Sequence, residues 1–164
     1  MRNQVVLSTP DESTWQIDLL DIVDEHTLFP TPGASPPTKI GIDFGQINYI
    51  NSAGVRVFTR WLRSLAESCP NLELTFSRLP TSVLRIAESS RLVAAPTVVT
   101  SVYCEYFCDT CDETKQILLE NSPALTIGNE NCDKCQISLE PEILPRTFNY
   151  IAGFAPKSTV KAAR

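Results

Sequence analysis

The chain has 164 residues, 43% of them apolar and 20% charged, which is the composition of one ordinary globular domain, alone or with a small module. The formal net charge of −5 argues against a general polyanion binder. No apolar stretch is long enough to cross a bilayer, and the start has no apolar segment typical of a secretory signal. We therefore expect a cytoplasmic protein whose six cysteines are reduced thiols or metal ligands.

Strand-like and helix-like segments alternate along the first two thirds of the chain. Five segments have the alternation or the β-branched content of strands: residues 5–7, 15–19, 40–44, 72–76 and 96–107. Residues 9–11 contain a turn signal, and residues 29–38 hold four prolines, which predicts a loop without a helix. A short helix is predicted at residues 81–89. This order predicts an α/β fold with a mixed sheet and helices packed on it.

The strongest helical pattern follows residue 51. Apolar residues at helical spacing form one stripe: Val55, Phe58, Leu62 and Leu65. Asn51 or Ser52 is a suitable N-cap, because the short side chain of either can accept a backbone N–H. Pro70 is expected to end the helix after Cys69.

Two CxxC pairs form the most specific motif: Cys108, Cys111, Cys132 and Cys135. Twenty residues separate the pairs, an arrangement typical of two knuckles that meet around one tetrahedral Zn²⁺. Four thiolates saturate such an ion and leave no position for substrate, so we predict a structural zinc site. The same spacing also allows iron held in the rubredoxin manner, or two labile disulfides. Residues 115–119 are predicted to form a strand of this small ribbon.

The remaining chemically notable residues have ordinary interpretations. Cys104 lies in a strand pattern and is expected to be a packed thiol, while Cys69 closes a helix and is expected to be inert. His26 has no partner in the sequence and is assigned to a loop. Between residues 104 and 140, eight carboxylates accompany two lysines, so this segment carries a net charge of −6 and repels phosphates.

The run GIDFGQINYINSAGV at residues 41–55 resembles the STAS domain, the module shared by anti-sigma factor antagonists and the tails of sulfate transporters. In that family a strand ends in Asp, and a short connection leads to Asp-Ser-Ser-Gly-Leu and a helix. The resemblance places Asp43 at the strand-end acid, Ser52 at the phosphorylated serine and Gly54 at the helix start. It spans roughly residues 15–107. The chain is also similar to a bacterial subset in which two CxxC pairs follow the last strand.

Three features depart from the family pattern. Asn51 stands where regulated members have Asp, Ala53 replaces the second serine, and the loop at 29–38 replaces the first helix. The first helix and the serine turn lie near the surfaces at which regulated members meet their kinase. The predicted organisation is a STAS-like domain at 1–103, a zinc ribbon at 104–140, and a closing helix and flexible tail at 141–164.

Ser52 has two interpretations. A hydroxyl in the first turn of a helix can act as a plain cap, or it can carry a phosphate that the helix dipole stabilises. Three arginines share one helical face just beyond it, and they are expected to form either a solvated surface or a basic rim for an acidic partner: Arg56, Arg60 and Arg63.

The function expected from these features is a non-catalytic interaction module of the STAS type in signalling, switched at Ser52 and partnered by a kinase or a phosphatase. No catalytic triad, phosphate loop or supported acid pair is visible in the sequence. One alternative is a nucleic-acid-binding zinc ribbon, which the basic tail favours slightly and the acidic ribbon opposes. Another is a sensor that binds a nucleotide or an anion at the helix N-terminus after Ser52.

Overall fold

A computed structural model describes residues 4–84, 96–122, 127–142, 147 and 153–154. Its largest element is a five-stranded sheet with the order β1-β2-β3-β4-β5. β1 runs antiparallel to β2, and the other neighbouring pairs are parallel. The strands are β1 (Val5–Asp11), β2 (Thr14–Val23), β3 (Lys39–Ile50), β4 (Glu73–Ser77) and β5 (Thr97–Val99). The fold class is therefore mixed α/β with a strand-rich sheet, as predicted at this coarse level.

The helix α1 (Ser52–Ser68) supplies the apolar residues that complete the core of this sheet. Side chains alternate between the two faces of a strand, so Ile17, Ile42 and Phe76 lie on one buried face. Phe58 of α1 contacts Phe44 of β3 edge-to-face, with ring centroids 5.9 Å apart. The predicted apolar stripe of the helix is confirmed at Phe58, Leu62 and Leu65, which are almost fully buried. The helix ends before Pro70, with Cys69 as its C-cap.

The connection between β2 and β3 contains no helix or strand, as the prolines at residues 29–38 predict. Aromatic contacts fasten it to α1 instead. The ring of Phe29 stacks on Trp61 with centroids 4.7 Å apart, and the indole Nε1 of Trp61 donates a hydrogen bond to the carbonyl of Pro30 at 2.7 Å. The loop therefore shields the end of the core that a regular element would otherwise cover.

The turn predicted at residues 9–11 is wrong, because β1 continues through Pro10 to Asp11. Proline is tolerated here, since β1 lies at the sheet edge and its register with β2 shifts between Ser8 and Asp11. The chain reverses at Glu12 and Ser13. Asp11 Oδ1 holds this turn by accepting bonds from the amide and the hydroxyl of Ser13, both at 2.8 Å.

The single long strand predicted at residues 96–107 is also wrong, because the chain divides at Thr100 into β5 and β6 (Ser101–Cys108). The amide and the hydroxyl of Thr100 both donate to the carbonyl of Phe76, at 2.8 and 3.1 Å. These bonds hold Thr100 at the end of β4. The next strand leaves the large sheet and pairs antiparallel with β7 (Glu113–Glu120), which confirms the predicted ribbon strand.

A second small pair completes the described structure. β8 (Glu130–Asn131) pairs antiparallel with β9 (Ser138–Leu139). The buried apolar cluster continues from the large sheet into this region through Val102, Cys104 and Tyr106. No break in the core therefore marks the predicted boundary between residues 103 and 104 within the described part of the chain.

Some predictions fall on residues that the structure does not describe. Residues 81–84 are helical, and the remainder of the helix predicted at 81–89 lies outside the described residues. The closing helix expected from about residue 145 and the basic tail lie almost entirely outside them as well. Among the helices of the described segments, none has the length and apolar character that a bilayer crossing requires.

Gly54 allows α1 to approach the end of β2, and this approach can be tested. A Cβ built at Gly54 would lie 2.2 Å from the carbonyl oxygen of Val23, which is backbone and cannot move freely. We expect Gly54→Ala to destabilise the protein by about 1–3 kcal/mol, although alanine raises helix propensity by about 1 kcal/mol. Gly33→Ala is the matched control, because nothing lies within 4 Å of its added Cβ. Urea unfolding measures both, and equal stabilities would contradict the close approach.

Candidate metal centre

The two CxxC pairs occupy the turns of the two small strand pairs. Cys108 is the last residue of β6, and Cys111 lies in the turn that leads into β7. Cys132 directly follows β8, and Cys135 lies in the turn before β9. Each pair of strands therefore presents one cysteine knuckle, and the fold brings the two knuckles face to face.

The four sulfur atoms of Cys108, Cys111, Cys132 and Cys135 all lie within 4.8 Å of one another. The Sγ atoms of Cys108 and Cys135 are 3.6 Å apart, and those of Cys111 and Cys132 are 3.8 Å apart. Bonds of about 2.3 Å to a tetrahedral ion would separate the sulfurs by roughly 3.8 Å, whereas a disulfide requires about 2.05 Å. The cysteines are free thiols at the spacing of a single-ion site.

Backbone amides of each knuckle point at its first cysteine. The amides of Cys135 and Lys134 hydrogen-bond to the Cys132 sulfur and lower the pKa of that thiol to about 6. Burial raises the pKa of Cys108, while hydrogen bonds from the amides of Cys111 and Thr110 act in the opposite direction. Amides that stabilise sulfur anions suit metal-bound thiolates, so the donor set fits the ion that the spacing predicts.

The two knuckles share a backbone feature that the sequence did not reveal. The residue after the second cysteine of each has a left-handed backbone, with φ of 53° at Asp112 and 60° at Gln136. Glycine usually occupies such positions, because a side chain there is strained. The repeated conformation turns the chain away from the sulfurs in the same manner at both knuckles.

The two lysines of the ribbon tie the second knuckle to β7. Lys115 Nζ lies 2.9 Å from Asp133 and 3.5 Å from Glu130, and it donates to the carbonyl of Asn131 at 3.2 Å. Lys134 pairs with Glu113 at the start of β7. These contacts are exposed and individually weak. They nevertheless place both positive charges of an acidic segment at the second knuckle.

Four converging sulfurs can hold a metal ion and fill all four positions of a tetrahedron. The predicted ligand set is therefore brought together completely. The other two cysteines lie outside the cluster. Cys104 and Cys69 are 0% and 3% exposed, and burial raises the pKa of both thiols. Both behave as packed apolar side chains, as predicted.

The structure decides between the two possible caps of α1. The side chain of Asn51 accepts the amide of Gly54 at 2.7 Å and is the N-cap. The interpretation of Ser52 as a plain cap is therefore wrong, because the larger amide side chain one residue earlier already occupies that role. Ser52 is the first helical residue and is exposed.

The residues proposed to surround Ser52 lie on the exterior. All three arginines of the predicted rim are exposed on α1: Arg56, Arg60 and Arg63. His26 lies in an exposed turn, 3.9 Å from Glu25, in agreement with its assignment to a loop.

An ion pair that sequence reasoning missed joins Asp43 to Arg78. Arg78 Nη2 lies 2.6 Å from Asp43 Oδ1, and Nε donates to Oδ2 at 3.0 Å. The carboxylate also accepts bonds from the Ser77 hydroxyl and the Gly45 amide, both at 2.7 Å. Burial raises the pKa of Asp43, but the bonds from Arg78, Ser77 and Gly45 outweigh burial and hold that pKa below its usual range.

The guanidinium of Arg78 fits because residue 45 is glycine. A Cβ on Gly45 would lie 2.1 Å from the guanidinium carbon. Arg78 itself has a φ of 54°, a strained value for a residue with a side chain, and its amide donates to the Ser101 hydroxyl at 2.9 Å. A pair of glycines around Asp43 in the sequence was the available signal, but nothing in the sequence identified Arg78 as the partner.

Comparisons of the chain with protein-family models, with curated proteins and with solved structures find no match. The metal-binding geometry above therefore rests on the residues of this chain alone.

Replacement of a buried ligand tests the metal centre. We expect Cys108→Ser or Cys132→Ser to abolish stoichiometric metal binding, because three thiolates and a distant hydroxyl no longer saturate the ion. Cys104→Ala and Cys69→Ala are the controls and should retain one equivalent. Mass spectrometry of metal content, with Co²⁺ absorption as a probe of four-sulfur tetrahedral geometry, measures the outcome. Full metal retention by both ligand variants would contradict the site.

Asp43 gives a pH-dependent prediction. Its pKa is lowered in the folded protein, so the carboxylate stabilises the fold above its unfolded pKa of about 3.9 and loses this effect as pH falls through the lower folded pKa. We expect Asp43→Asn to cost about 1–2 kcal/mol at neutral pH, after allowance for the solvent around the partly exposed Arg78. The stability difference from wild type should shrink below about pH 4. Acid release of metal affects both proteins alike. A difference in the free energy of unfolding that grows as pH falls would contradict the ion pair.

Proposed function

We propose that this protein is a non-catalytic interaction module of the STAS type, switched at Ser52 and stabilised by a structural zinc ion. The observation that carries the proposal is the capping of α1 by Asn51, which leaves the Ser52 hydroxyl exposed in the first turn. A hydroxyl that caps its own helix is occupied, whereas this one is accessible to a kinase or a phosphatase.

A phosphate on Ser52 would meet favourable electrostatics. The first turn of α1 contains no acidic residue, so nothing in that turn already neutralises the positive end of the helix dipole. Arg56 lies one turn further along at i+4, where it can pair with a phosphate on Ser52. Phosphorylation would thus add negative charge at Ser52, and Arg56 would pair with this phosphate. A partner that binds the three arginines would therefore bind the modified protein with a different affinity.

The family assignment has support from chain order and from one close approach. The sheet strand β3 runs directly into α1, and the glycine of the serine turn is the residue that contacts the end of β2. The order of strand and helix, with a glycine in the helix start, agrees with what the STAS resemblance implies for residues 41–55. The expected strand end at Asp43 is wrong, because β3 continues through this residue to Ile50. The departures at Asn51 and Ala53 alter the cap and the second serine without displacing Ser52.

The four sulfurs support a structural role for the metal. A saturated tetrahedral site has no open position for a substrate, so its contribution is to folding. In zinc-finger peptides such binding contributes about 10–16 kcal/mol of apparent free energy. We assign zinc because paired knuckles with amide-supported thiolates are its usual structural site, and metal analysis of the purified protein distinguishes it from iron.

A charge placed at Ser52 tests the switch. We expect Ser52→Asp to change the recovery of a specific partner by at least about threefold in quantitative affinity capture from the source cell, because the charge alters the rim that the partner contacts. Ser64→Asp adds the same charge at an exposed position of the same helix and should behave as wild type. Phosphosite mapping of the captured protein should find Ser52 modified. Identical partner sets for all three proteins, with Ser52 unmodified, would contradict the proposal.

A further inference from the structure

An open groove of about 500 Å³ lies beside the metal centre. Its walls are the residues next to the two knuckles, Phe107 and Asp109 on one side and the segment from Ile137 to Glu142 on the other. This volume is within the range of about 300–1,000 Å³ that ligand sites occupy. The converging cysteines bring these two segments together, as does the bond of 2.8 Å from the amide of Glu142 to the carbonyl of Glu105.

The groove contains apolar surface that the fold leaves exposed. Phe107 is 36% exposed and Ile137 is 48% exposed, and both are among the eight large apolar side chains that are exposed in the described residues. The backbone of each residue is held in place. Phe107 is paired with Thr114 in the β6–β7 hairpin, and the carbonyl of Ile137 accepts a hydrogen bond of 2.9 Å from the amide of Cys132. Exposed apolar groups on a fixed frame are typical of recognition surfaces.

The rim of the groove is acidic. Asp109, Glu140 and Glu142 line it, and no lysine or arginine does among the described residues. The two lysines of the ribbon are engaged elsewhere, Lys115 with Glu130 and Asp133, and Lys134 with Glu113. The local field therefore attracts cations and repels phosphate backbones.

We propose that this groove binds an extended basic and apolar segment of a protein partner, with a leucine-sized side chain against Phe107 and Ile137 and flanking lysines or arginines at the acidic rim. The occupant follows from charge complementarity, since a groove with an acidic rim and apolar side chains in its walls disfavours acidic peptides and nucleic acids. The inference rests on the proposed role as an interaction module, but it uses a surface separate from Ser52.

Binding of short labelled peptides to the full-length, metal-loaded protein tests the groove. The probes are a peptide that alternates lysine or arginine with leucine, the same peptide with serine in place of leucine, and the same peptide with glutamate in place of each basic residue. Fluorescence anisotropy at physiological salt should show saturable binding of the first peptide only.

Matched variants locate the binding. The double variant Asp109→Lys and Glu140→Lys should weaken binding by about tenfold or more. The double variant Glu67→Lys and Glu120→Lys has the same change in net charge at exposed positions away from the groove, and it should bind as wild type within about twofold. Ile137→Ser should also weaken binding while metal content stays at the wild-type level, because this side chain is half-exposed and its backbone bond remains.

Several results would overturn the proposal. One is absence of binding, and another is equal binding of the leucine and serine peptides. A third is an equal loss of peptide affinity in the two charge-reversal variants, because this would indicate only a general attraction of polycations. Binding that appears only after Lys157, Lys161 and Arg164 are replaced by glutamate would assign the groove to the chain's own tail. If the peptide fails while Ser52→Asp still changes partner recovery, the groove is wrong and the proposed function stands.

Discussion

The convergence of four sulfur atoms within 4.8 Å is the constraint on which the last third of the described structure depends. β8 and β9 have two residues each, and β6 and β7 form a separate hairpin that meets the segment after β4 through a parallel bridge between Leu79 and Val102. Strand pairs of this size are at best marginally stable alone. Metal coordination to the knuckles can supply what their small core does not, since structural zinc sites contribute about 10–16 kcal/mol. The groove lies directly beside this convergence, so folding of the ribbon and the proposed binding of a partner depend on one physical feature.

Local patterns predicted the elements but not their partners. Alternation located β2, and helical spacing located α1, because both patterns record which face of a single element is buried. The CxxC spacing predicted the metal cluster because ligand chemistry requires four sulfurs at one point. Thr100 was missed because a strand that changes partners keeps the same composition on both sides of the change. Arg78 was missed because its position depends on a left-handed backbone and on the absence of a side chain at Gly45.

The two candidate surfaces, the arginine face of α1 and the groove of the ribbon, carry opposite charges. The three arginines are exposed on the helix that begins at Ser52, whereas the ribbon carries most of the acidic residues of its segment on its exterior. A nucleic-acid-binding ribbon needs the opposite sign at its metal module, because phosphate neutralisation provides most of the affinity. The distribution instead agrees with the protein partners proposed for these two surfaces.

The Asp43–Arg78 pair lies between the strands that lead to these two surfaces. Asp43 lies in β3, the strand that leads directly to Ser52, and Arg78 donates through its amide to Ser101, the first residue of the strand that ends at Cys108. Arg78 thus links the two strands that carry the candidate sites, with its guanidinium bound to β3 and its amide bound to β6. Because Arg78 is held in a strained conformation and Gly45 is needed to admit it, this arrangement is maintained at an energetic cost. The bond from Arg78 to Ser101 and the parallel bridge between Leu79 and Val102 hold the start of β6 beside the segment that follows β4, and the metal module continues from this strand.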